Sequence, residues 1–133
     1  MPLTPETRMT PAALSVAVFG VYMLLQGAVL ALFPNFLLGL LGFPPPQDGW
    51  VRVVGFSLGV LGYYYLQNAR AGYGPFFGWT VGVRLAQFGF FAVLVLTRQM
   101  PWPILMTSAL EAASGLWTGL ALRAEAARGR SNV

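Results

Sequence analysis

Arg84 and Glu111 each fall near the middle of an apolar run, the first spanning residues 76–96 and the second 102–122. A charge near the midplane of a bilayer costs roughly 2.5–3.5 kcal/mol on insertion scales. Two opposite charges at matching depth are expected to pair and to face protein or a cavity rather than lipid. Such a pair supports two chemistries. As a structural device it would fix helix register, with nearby hydroxyls and amides meeting its remaining hydrogen-bonding capacity. As a functional device it would line a cavity, where Arg84 holds an anionic or carbonyl group and Glu111 exchanges a proton.

Polar side chains recur around the two charges at helical spacing. Thr107, Glu111, Ser114 and Thr118 share one face at i, i+4, i+7 and i+11, with Ser108 and Gly115 beside them. Thr80, Arg84 and Gln87 share another face, continued by Phe91. Ser15, Phe19, Tyr22 and Gln26 make a third, and Ser57, Tyr64 and Gln67 a less regular fourth. Four helices with polar faces would point them at one centre. The candidate ligand-binding set is therefore Arg84, Glu111, Gln87, Gln26, Tyr22, Tyr64, Ser114 and Thr107. Tyr63, Tyr64 and Tyr65 form the densest aromatic cluster, which reads as an interfacial belt or as a wall for a flat or isoprenoid ligand.

What is missing narrows the chemistry. The chain has no cysteine and no histidine, which excludes thiolate nucleophiles, disulfides, Cys or His metal sites and a histidine base. No phosphate loop, dinucleotide fingerprint or Ser/His/Asp set occurs. No cofactor or metal is expected. The net charge of +4 comes from arginines beside apolar segments, so lipid headgroups are the expected partners and nucleic acid is not.

The elements that must position these residues are long and apolar. Of 133 residues 56% are hydrophobic and only 9% charged, against about 25% charged in ordinary soluble domains; the mean hydropathy is +0.65. The whole chain, 1–133, reads as one transmembrane domain. The expected fold is an all-α, four-helix transmembrane bundle with helices over about 12–33, 50–69, 76–96 and 102–122 and a polar tail over 123–133, fraying from Gly129. Each run is long enough for a core of about 30 Å. The first run is too long for a signal-peptide core and lacks a small-residue cleavage site, so it is read as retained. Thr10 is its expected N-cap and Pro11 its first-turn proline. Between helices 1 and 2, the octet Phe36–Phe43 is too short to span and precedes Pro44–Pro46; it reads as an interfacial or re-entrant segment.

Arginine placement sets orientation. Arg8, Arg70, Arg123, Arg128 and Arg130 fall on one side, Arg98 and Arg52 on the other, which favours both termini in the cytoplasm. Trp50, Trp79 and Trp102 lie near helix ends, as interfacial anchors do. Gly55 and Gly59, Gly115 and Gly119, and Gly74, Gly78 and Gly82 are spaced for close helix packing. A partial echo of Gly20…Gly27 in Gly82…Gly89, and of Gly55…Gly59 in Gly115…Gly119, suggests a duplicated helical hairpin.

The proline-ended first helix, the Leu/Gly-rich segment, Trp50-Val51-Arg52-Val53-Val54-Gly55 and Leu61-Gly62-Tyr63-Tyr64 together resemble small bacterial DoxX-like four-helix membrane proteins. The resemblance implies a bacterial inner-membrane protein, sometimes associated with redox or quinone-linked partners; it transfers no catalytic residue. The expected function is a ligand-binding or accessory membrane subunit whose Arg84/Glu111 centre holds a lipophilic small molecule, lipid or quinone-like, or fixes helix register. The alternatives are a proton-coupled transporter or channel built as a homo-oligomer, and a small membrane enzyme with Glu111 as acid/base. The expected partners are the bilayer, such a ligand, and further copies of the chain or a larger membrane complex.

Overall fold

The computed structural model describes residues 9–131. Arg8, counted above for orientation, lies outside them. The described chain is all-α, in the order α1 (Pro11–Leu32), α2 (Pro34–Leu40), α3 (Trp50–Ala71), α4 (Gly74–Leu96) and α5 (Ile104–Ser131). Two of the helices, α1 and α4, are long and apolar enough to cross a membrane by length and composition. The other two long helices are interrupted by polar residues: α3 holds Arg52, Gln67, Asn68 and Arg70, and α5 ends in a charged stretch.

Local chemistry sets the helix ends. The Thr10 side chain accepts from Ala13 N at 3.1 Å and Pro11 occupies the first turn of α1, as the sequence implies. At the other end of α1, Arg52 Nη1 donates to Ala31 O at 2.7 Å, so this arginine closes a helix terminus where free carbonyls carry partial negative charge. α3 stops at Gly72, whose φ of 70° favours a residue without a Cβ, and Tyr73 N returns to Asn68 O at 3.1 Å. Two residues then separate α3 from α4.

Two expected boundaries move. The segment after α1 becomes a seven-residue helix with Pro34 at its start, ending before Phe43. The tail expected to fray from Gly129 continues α5 through Ser131. Its alanines favour helix, and Glu125 ties it down: Glu125 Oε1 accepts from Ala12 N at 3.0 Å, across 113 residues. The carboxylate meets an orphan N–H at the positive end of α1.

Packing is uneven. α1 lies most extensively against α3, α5 packs on both α4 and α1, and α1 touches α4 only marginally. Glycines make the α1–α3 approach possible. A Cβ on Gly55 would come within 2.5 Å of Ala31 N, and one on Gly27 within 2.6 Å of Gly59 N. Gly20 and Gly62 face each other the same way a turn or two along. Backbones this close leave no room for any side chain.

The expected glycine rows are only partly used. A Cβ on Gly74, Gly78 or Gly82 would meet nothing within 4 Å; a Cβ on Gly59 would also be free, but the Gly59 backbone is what Gly27 packs against. Gly115 is used, with a Cβ reaching 3.3 Å from Arg84 Cβ. The suspected duplication is not echoed in packing, since Gly20 and Gly27 are in contact whereas Gly82 and Gly89 are open.

The apolar core comprises Ala12, Ala13, Val16, Ala17, Phe19, Met23, Tyr65, Ala69, Phe77 and Ala121. These residues come from the start of α1, the end of α3, the start of α4 and the end of α5, so the core sits at that end of the molecule. Beside it are buried Ser15, Thr80, Arg84, Ser108, Glu111 and Thr118, while Leu25, Phe56, Val83, Phe90, Leu110 and Leu120 are exposed. Two buried charged side chains and many exposed large apolar ones depart from the arrangement of a soluble domain, in which charged side chains are almost never fully buried and large apolar patches stay small.

Candidate functional site

Helical periodicity delivers the polar groups, and the antiparallel pairing of α4 with α5 puts them in register. Thr80 lies level with Thr118, Arg84 with Ser114, and Gln87 with Glu111. Arg84 is 1% exposed and Glu111 6%. The pairing expected between them is not formed. Arg84 Nη1 donates to Ser114 Oγ at 3.0 Å, Nη2 to Thr80 Oγ1 at 2.8 Å and Thr118 Oγ1 at 3.0 Å, and Nε to Thr80 O at 3.2 Å. The Glu111 carboxylate instead accepts from Gln87 Nε2.

The direction of helical side chains keeps the two charged tips apart. A Cα–Cβ bond tilts toward the N-terminus of its own helix. In an antiparallel pair, Arg84 therefore leans toward Thr80 while Glu111 leans the opposite way. Equal depth along the two axes does not bring the charged tips together. Ser114 connects the halves: its hydroxyl accepts from Arg84 and donates to Glu111 O at 2.7 Å.

The two halves differ in how well their polar atoms are satisfied. Around Arg84 four of the five guanidinium N–H groups have oxygen partners, and its carbon lies 4.7 Å from the Phe19 ring centroid and 5.9 Å from that of Tyr65, within cation–π range. Ser15 Oγ and Thr118 Oγ1, 2.6 Å apart, extend the cluster to α1. Among the described residues, Ser108 Oγ and Gln26 Oε1 are buried without a hydrogen-bond partner. Ser108 lies one turn before Glu111 on the same face. Gln26, with Tyr22, lines a groove of about 350 Å³ between α1, α2 and α5 that also includes Leu37, Thr107 and Leu110. Tyr22 is within electrostatic reach of Glu111 and stacks on Phe19 at 5.8 Å.

Of the eight candidate residues, the structure thus brings Arg84, Glu111, Gln87 and Ser114 into two adjoining networks that meet at Ser114. Tyr22, Gln26 and Thr107 line the adjoining groove; Thr107 bonds only its own helix, at Ile104 O. Tyr64 is not part of the site. It is 54% exposed and lies on the outer α1–α3 groove, whereas its neighbour Tyr65, 9% exposed, is the tyrosine beside Arg84. Ser57 and Gln67 are exposed as well. Gly55, Gly62, Tyr65 and Ala69 form the buried face of α3, so three helices and one tyrosine build the centre, not four polar faces. Sequence reasoning also missed Glu125 and gave Ser108 only a place beside the stripe; its spacing of three from Glu111 was the available signal.

Among the described residues no three acidic, cysteine or histidine side chains converge on a point that would hold a metal ion. No protein-family model, curated protein or solved structure matches the chain.

Proposed function

We propose that the chain is a small multi-pass membrane protein whose four long helices all span, and that the Glu111 half of its polar centre binds the head of a lipophilic small molecule. Support for the membrane reading comes from the large apolar side chains left exposed around a centre that buries two charges. Exposed apolar side chains occur on α3 and α5 as well as on α1 and α4, so hydrocarbon would solvate all four helices. The bacterial inner membrane, the cytoplasmic termini and the DoxX-like kinship belong to the same proposal; the arginine distribution and the Trp50–Tyr64 segment support them.

The observation that carries the ligand reading is the pair of buried atoms without a partner among the described residues: Ser108 Oγ, one turn from the buried Glu111 on α5, and Gln26 Oε1, on a residue lining the groove between α1, α2 and α5. An orphaned buried polar group costs about 1–3 kcal/mol. A ligand that meets these groups recovers that loss. Gln26 Oε1 and the carboxylate accept hydrogen bonds, so the complementary head carries a donor, such as a hydroxyl; the groove between α1, α2 and α5 is the sideways entrance for an apolar tail. The Arg84 half, already satisfied by hydroxyls, fixes the register of α4 against α5. Phe88–Leu96 has no polar side chain, which disfavours an open pore.

Mild extraction from membranes followed by mass spectrometry of the organic extract tests the proposal. A single lipophilic species should copurify in near-equal amount and be lost in both Ser108→Ala and Glu111→Gln. Extraction of a folded protein with no such species, or retention of it in both variants, overturns the ligand reading and leaves a purely structural network.

A further inference from the structure

A second groove, of about 400 Å³, runs between α4 and α5 on the outside of the molecule, lined by Gly78, Val81, Leu116, Gly119 and Leu120 and ending at Arg123. Gly78 opens it: a Cβ there would meet nothing within 4 Å. From Leu116 to Arg123 the wall is about 10 Å long at about 1.5 Å per residue. The larger α1–α3 groove has no charged residue in its lining, so a cation at the mouth distinguishes this one.

The mouth also sits where headgroups would be. The α4–α5 register places Arg123 beside the first turn of α4. At that level Trp79 is exposed and meets Tyr73 edge to face at 6.1 Å, and Arg70 is exposed at the end of α3. Exposed tryptophan, tyrosine and arginine mark a membrane–water boundary. The Arg123 guanidinium has no hydrogen-bond or ion-pair partner among the described residues.

We propose that the α4–α5 groove is a binding site for one anionic phospholipid, with its phosphate on Arg123 and an acyl chain lying over Gly78 and Gly119. A zwitterionic lipid would fill the same apolar trough and offer the same phosphate, but its own ammonium would offset the attraction of that phosphate to Arg123. This inference rests on the membrane reading but not on the ligand reading, because the groove opens on the opposite side of α5 from the Glu111 network.

The test uses the full chain purified in detergent, offered phosphatidylglycerol or phosphatidylcholine at equal concentration, with native mass spectrometry counting retained lipid. One phosphatidylglycerol should be retained in preference to phosphatidylcholine. Arg123→Gln should weaken that retention about fivefold, the share of one basic residue at a lipid surface, and erase the preference. Gly78→Leu should fill the trough and reduce both lipids, while Gly89→Leu, equally open but farther along α4, should change neither. Equal retention of the two lipids by the unaltered protein, or unchanged phosphatidylglycerol retention in both Arg123→Gln and Gly78→Leu, overturns the site. Displacement by excess glycerol phosphate would reduce it to an anion contact and also overturn the acyl-chain assignment. An alkaline carbonate wash of membranes separates the two failures: release of the chain refutes the membrane reading itself, whereas retention with no lipid preference refutes only the site.

Discussion

Replacing Gly55 by alanine adds a single methyl group, and the structure fixes what that methyl meets. Its Cβ would lie 2.5 Å from Ala31 N, 2.8 Å from Gly27 O and 2.9 Å from Leu30 C, all backbone atoms that cannot rotate away. Ordinary contact begins near 3.4 Å, so α1 and α3 must separate by about 0.9 Å at this crossing. A gap of 0.5–1 Å forfeits a quarter to a half of each dispersion well, and each atom pair contributes about 0.1–0.2 kcal/mol. With on the order of 40 atom pairs around the crossing, the loss is about 2 kcal/mol, in the range typical of overpacked cores. Alanine's better helix propensity offsets part of this, by at most about 1 kcal/mol. The control is Gly59→Ala, four residues along the same helix, where the methyl enters open space; its effect should be neutral or slightly stabilising. Thermal unfolding in detergent, followed by tryptophan fluorescence, should show Gly55→Ala several degrees below the unaltered protein and Gly59→Ala at or above it. Equal stability of the two variants would refute the reasoning, because sequence spacing alone treats the two glycines alike.

Three further outcomes are expected. Arg84→Gln and Glu111→Gln should each destabilise, and their coupling through the shared Ser114 should stay below the roughly 3–5 kcal/mol of a broken buried pair; full recovery in the double mutant would contradict the hydrogen-bond geometry. Arg98, at the end of α4, has φ 62°, a left-handed conformation that costs a residue with a Cβ about 1–2 kcal/mol. Arg98→Gly should therefore raise the unfolding midpoint, and a lowered midpoint would show that the arginine side chain contributes more than the strain. Glu125→Ala should remove the cap on Ala12 N at a cost of about 1 kcal/mol, seen as faster amide exchange confined to the first turn of α1; unchanged exchange there would remove the link between α5 and α1.

Several features were legible in the sequence because they depend only on local chemistry. The apolar runs gave the number of long helices, and Thr10-Pro11 gave the start of α1. The 3.6-residue period placed Thr80, Arg84 and Gln87 on one face, and Glu111, Ser114 and Thr118 on another. The lack of cysteine and histidine excluded whole classes of chemistry before any fold was known.

Periodicity says which residues share a face; it does not say how each helix is rotated against its neighbours. Only the packed structure selected Tyr65 over Tyr64, and Gly55 over Gly59, because that rotation is set by the sum of contacts along both helices. Only it joined Glu125 to Ala12 across 113 residues, a contact without local signature that also holds the charged end of α5 in helical form. The separation of Arg84 from Glu111 lies between the two cases. Their depths were readable from the sequence, but the antiparallel arrangement, with each side chain leaning toward its own N-terminus, turned the expected ion pair into two adjoining networks, one closed by hydroxyls and one with two buried polar atoms unmatched.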